Sequence, residues 1–129
     1  MSRERFEQQR AQFERALFRL HEVLAENETS IVRDALIQRF EFTYEMAWLS
    51  LFHYLTFKGE RVGKQAFQVL PLAFQALLIK DANLWDQVRL QRNQTSHTYD
   101  EVKAISVAAF VRASAVQAFD ELRATLAAL

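Results

Sequence analysis

At 129 residues, with 50% hydrophobic and 25% charged side chains, the chain has the composition of one ordinary globular domain spanning 1–129, not of a disordered polymer or a pair of domains. Sixteen Lys and Arg balance sixteen Asp and Glu, so no global positive field exists to hold nucleic acid and any such contact must be local. Cys is absent, which excludes a disulfide framework and a thiolate metal site.

Two Gly and one Pro leave few breakers, and the apolar residues recur at helical intervals, so the expected fold is all-α. Phe6, Phe13, Leu17, Leu20 and Leu24 form one stripe of a first amphipathic helix whose other faces carry Arg and Glu. This Arg- and Glu-rich beginning lacks the apolar core of a signal peptide. No apolar run approaches the roughly 18 residues of a membrane span. The expectation is therefore a cytoplasmic protein with no membrane partner.

"ENETS" ends the first helix, with Thr29 or Ser30 capping a second from about Ile31 to Phe57. Its Phe40, Phe42, Tyr44, Met46, Trp48, Leu49, Leu51 and Phe52 point all round, which calls for more than one neighbour and, we expect, a homodimer. Gln38, Glu41 and Glu45 make a narrow polar seam on this helix, either solvated surface or the rim of a site.

"KGERVG" reads as a loop, and Pro71 predicts that the main third helix starts near Leu70, since proline suits a first turn. Asp81 or Asn83 caps a fourth helix carrying Leu84, Trp85, Val88 and Leu90. Thr98 and Glu101 have the spacing of a capping box for a last helix, with Ile105, Ala109, Val116, Phe119 and Leu126 inward. The whole describes an antiparallel four- to five-helix bundle.

Where the fourth helix ends, "RNQTSHTYD" gathers Arg92, Asn93, His97 and Tyr99. Helical spacing puts Asn93 and His97 on one face. A histidine that titrates near neutrality moves a proton, and a guanidinium clamps a phosphate or its charged transition state. On RNA, His97 would take the 2′-hydroxyl proton and Arg92 would hold the phosphoryl oxygens. The same residues have a plain structural use: Arg92 pairing with a carboxylate, His97 satisfying a helix C-terminus, Tyr99 packing on the bundle. His21, His53 and His97 lie far apart and form no ligand-spaced cluster, so neither metal nor cofactor is expected. With no Gly-rich phosphate loop, the chain is not itself a nucleotidyltransferase.

"IQRFEFTYEMAW" and "DANLWDQVRLQRNQTSHTYDE", in that order, resemble the nucleotidyltransferase substrate-binding proteins of the HEPN superfamily over nearly the whole chain. Arg92, His97 and Tyr99 match the family's Arg-x4-His-x-Tyr signature, with Asn93 in the polar position after the arginine. The chain departs from its relatives at the third helix, where "KQAFQVLP" stands in place of a common Ser-Pro-Arg turn.

The resemblance implies a helical bundle paired as a homodimer, two motifs facing across a cleft, and a minimal nucleotidyltransferase encoded nearby. In several HEPN toxins the arginine and histidine carry metal-independent RNase activity. The antitoxin partner silences them by AMPylation of the motif tyrosine. Other members serve as non-catalytic substrate-binding subunits. The resemblance thus leaves two functions open, an RNase regulated by modification and a binding and dimerisation subunit; a bare structural bundle is the third reading and the one the motif favours least.

Overall fold

A computed structural model describes residues 3–129 and contains five α-helices among them: α1 (Arg3–Leu24), α2 (Ser30–Phe57), α3 (Ala66–Gln75), α4 (Ala82–Gln94) and α5 (Glu101–Ala127). The all-α bundle expected from periodicity is the fold observed. Contacts such as Phe6 with Tyr54 and the Arg39 bond to the Arg19 carbonyl set α1 antiparallel to α2. Arg10 on the Leu126 carbonyl and His21 on Asp120 at 2.7 Å set α1 antiparallel to α5.

The core closes where four helices meet: the Phe119 ring lies 6.4 Å from Phe13, 6.1 Å from Phe40 and 5.8 Å from Trp85. Phe6, Phe13, Leu17 and Leu20 are buried as their stripe requires, while Leu24 is partly buried. Helix α2 buries residues on several faces, from Leu36 and Ile37 to His53 and Leu55, against the chain's other helices. Its apolar girth is therefore explained largely within one chain and does not by itself demand a dimer.

Three sequence expectations need correction. Helix α3 begins at Ala66, not near Leu70, and Pro71 lies inside it. Proline removes one amide bond, to the Phe67 carbonyl, but its ring sits on the exposed side while Val69, Leu70 and Ala73 hold the helix to the core. Burial outweighs the broken ladder.

Helix α5 is capped by Asp100, whose Oδ1 accepts from the Val102 and Lys103 amides, whereas the Thr98 hydroxyl donates to the Thr95 carbonyl. An aspartate next to the first turn competes better than a threonine two residues earlier. The buried face of α5 runs through Ala104, Val107, Ala108, Val111, Ala115, Phe119, Leu122 and Leu126, leaving Ile105 and Ala109 outside.

A π-helical stretch, Val111–Ala115, interrupts α5. There Arg112 reaches Glu28 at 2.9 Å and the Leu24 carbonyl at 2.9 Å, tying α5 to the loop that joins α1 and α2. Helix α5 is also long enough, with a window of mean hydropathy 1.3, to cross a bilayer by length and composition, but Phe119, Leu122 and Leu126 are spent on the bundle core.

Candidate functional site

Asp81 starts α4 by accepting from the Leu84 amide at 3.0 Å, and Trp85 and Val88 anchor the helix to the core. The helix then tightens. Thr95–His97 forms a 3₁₀ turn, held by small hydroxyls that bond back three residues: Thr95 to the Arg92 carbonyl, Ser96 to Asn93 and Thr98 to Thr95. Such local bonds are what Ser and Thr offer in place of helix propagation. They explain why "TSHT" stands here: the turn consumes its own polar groups and leaves His97 and Tyr99 on the surface.

Because the helix ends at Gln94, the α-helical spacing that pairs Asn93 with His97 does not apply across this turn. Both side chains belong to exposed residues on the same short segment. The His97 and Tyr99 rings stand edge to face, 6.4 Å apart, and Tyr99 is 88% exposed. A packing role for the tyrosine does not describe this geometry.

Arg92 is placed differently. Its Nη1 donates to Thr95 Oγ1 at 2.8 Å and lies 3.1 Å from Glu41 Oε2 on α2. Thr95, only 7% exposed, has its hydroxyl 2.8 Å from the same Glu41 oxygen and 2.7 Å from the Arg92 carbonyl. One hydroxyl proton serves one of these two acceptors at a time. The guanidinium is thus held through one nitrogen by a carboxylate and a buried hydroxyl, while its Nε is buried without a partner.

Glu41 belongs to the polar seam of α2, and its pairing with Arg92 makes that part of the seam the rim of the site. Its neighbour Tyr44 is 3% exposed, and its buried hydroxyl has no hydrogen-bond partner. Burial pushes this phenol up to about 12, with Arg89 opposing the shift and Glu45 adding to it. Glu41 and Thr95 were recoverable only in part from sequence. The seam drew attention to one, and the motif encloses the other without naming it.

Among the described residues, no three His, Asp or Glu side chains come together as a metal-binding group. The arrangement offers a fixed cation and an exposed imidazole on adjoining turns, the components of phosphoryl-transfer chemistry by charge stabilisation and proton movement.

Comparison with known proteins follows the same segments. The family model described as "Nucleotidyltransferase substrate binding protein like" matches residues 8–128. The chain belongs to that family. A family relative from Haemophilus influenzae (strain ATCC 51907 / DSM 11121 / KW20 / Rd), named "Probable ribonuclease HepT", is 38% identical over 86 residues, 60% of this chain. The match spans 59% of that relative's length. A crystal structure of a Thermus thermophilus protein superposes with a TM-score of 0.80 at 32% identity, covering 88% of this chain and 98% of the other. The bundle is therefore shared with a solved structure over nearly its full extent.

Proposed function

We propose that the chain is a metal-independent endoribonuclease acting as the HEPN-type toxin partner of a minimal nucleotidyltransferase. The observation that carries this reading is the juxtaposition of Arg92, fixed by Glu41 and Thr95, with His97 on the exposed turn that follows. The ribonuclease name of the Haemophilus relative points the same way.

The His97 imidazole takes the proton of an RNA 2′-hydroxyl, and the 2′-oxygen attacks the adjacent phosphorus. The bond from phosphorus to the 5′-oxygen breaks, that oxygen leaves with the proton returned by the imidazolium, and a 2′,3′-cyclic phosphate remains. Arg92 stabilises the charge on the phosphoryl oxygens as the fifth bond forms. Tyr99, with its phenol in solvent, is the acceptor of a nucleotide from the partner enzyme, and the added anion then competes with substrate phosphate for Arg92.

The alternative, a non-catalytic substrate-binding and dimerisation subunit, is favoured by the zero net charge and by the Glu41 carboxylate that already neutralises Arg92. Cleavage separates the two. Purified unmodified protein should cut RNA in EDTA, and His97→Ala should lower the rate by roughly 10²-fold or more. Equal cutting by the two proteins assigns the activity elsewhere, and no cutting of any RNA tested selects the subunit. With the partner enzyme, ATP and Mg²⁺, peptide mass spectrometry should find the adduct on Tyr99 and none in Tyr99→Phe.

A further inference from the structure

A groove of about 670 Å³ runs between α3 and α4, walled by Phe67, Leu70, Pro71, Phe74, Ile79 and Trp85. Phe67 is 58% and Phe74 42% exposed, so two aromatic side chains stand open to solvent beside one concave surface. The charged residues of the groove, Asp86 and Arg89, belong to α4, the helix that also carries Arg92.

Helix α4 rises about 1.5 Å per residue, so Arg89 is about 4.5 Å and Trp85 about 10 Å from Arg92 along its axis. The buried Tyr44 hydroxyl feels the charges of Arg89, Arg92 and Asp86. The groove and the Arg92 site thus share helix α4, with Arg89 of the groove one turn before Arg92.

We propose that this groove is a nucleobase subsite, taking one unstacked base of a single-stranded RNA between Phe67 and Phe74 while Arg89 meets the phosphate that connects it to the scissile position. The inference rests on the ribonuclease reading and extends it from the reacting phosphate to the neighbouring nucleotide. Aromatic faces accept any base, which suits a chain with little net charge to contribute. Arg89 is engaged with Asp86 at 2.9 Å in an exposed pair, a contact weak enough to yield to a phosphate. Gln75 supplies an amide at the groove for a base edge.

The test is equilibrium binding of a labelled short single-stranded oligoribonucleotide to the whole His97→Ala chain, whose cutting is slowed roughly 10²-fold or more and is completed over times longer than the binding measurement. Phe67→Ala and Phe74→Ala, both at exposed positions and checked by thermal melting, should each weaken binding roughly tenfold. Arg89→Ala should weaken it less and flatten its salt dependence. An abasic nucleotide walked along the strand should cost the parent protein the same factor at one position and cost Phe74→Ala nothing further there.

Unchanged affinity in both phenylalanine variants overturns the subsite, as does an equal abasic penalty in parent and Phe74→Ala at every position. Loss of nucleotidyltransferase binding alone would make the groove a protein-docking surface and also overturn it. If wild type cuts RNA while the groove variants bind it normally, the subsite falls and the ribonuclease reading stands. If wild type neither binds nor cuts RNA, both fall.

Discussion

Glu41 does at the residue scale what a lone arginine cannot do for itself: it removes the freedom of a long cationic side chain. Neutral Glu41→Gln keeps the size but removes the negative charge that faces the guanidinium, so Arg92 is held less firmly. We expect kcat for RNA cleavage to fall roughly tenfold to 10²-fold with little change in KM, and Glu41→Asp to recover part of it. An unchanged kcat in Glu41→Gln would reduce the pair to a surface contact.

His53 makes a prediction of the opposite kind, about folding alone. Burial holds its imidazole below the ordinary value, reinforced by Arg5 and Lys64. The unfolded chain then binds a proton that the folded chain refuses, so stability is complete above about pH 6.5 and is lost as pH falls through the folded value. Thermal melting between pH 8 and 5 should show this slope in wild type and a flatter one in His53→Leu. Glu28, whose carboxyl is lowered chiefly by its bond to Arg33, acts in a more acidic window and leaves this one clear.

At the scale of elements, the contrast between two helix ends is instructive. Helix α2 closes with the Gly59 amide on the Thr56 carbonyl and the Glu60 amide on Leu55, and Gly59 takes φ +90 without cost. Helix α3 closes in the same pattern, Leu77 on Phe74 and Leu78 on Ala73, but places Leu77 at φ 62. A side chain in that region costs on the order of 1 kcal/mol, and Leu77, 80% exposed, recovers little by burial. Leu77→Gly should therefore raise the melting temperature by about 2 to 4 °C. A lower melting temperature would mean that the leucine has a contact worth more than its strain.

The same two ends show why some elements were legible and others were not. Gly59 announces its turn by its chemistry, as Thr29 and Asp81 announce their helices, and each cap is where its residue type put it. Leu77 carries no such mark, because tertiary burial of Leu78 and Ile79 imposes the turn on whichever residue stands there. Pro71 misled for a related reason: local preference favoured a helix start, and the buried Val69, Leu70 and Ala73 overruled it. At the site, Arg92, His97 and Tyr99 were legible as a local pattern. The Glu41 contact crosses 54 positions to Thr95, and no local spacing encodes that distance.

At the scale of the whole molecule, the case for a homodimer shifts from α2 to the surface beside the motif. The Arg33 to Glu101 ion pair, 3.8 Å, joins the first turns of α2 and α5. On those turns Ile31 is 80% and Val102 76% exposed, with Ile105 one helical step further along α5. We propose that these branched aliphatic side chains, left open near the turn that carries His97, are covered by the same patch of a second copy, which would bring two motifs together by twofold symmetry. Sedimentation at micromolar concentration should therefore show a dimer, and Val102→Glu, which sets two like charges against each other across such an axis, should shift it to monomer without lowering the melting temperature of the isolated fold. A wild-type monomer would remove the shared cleft and leave each motif to act alone. A dimer untouched by Val102→Glu would place the interface on another face.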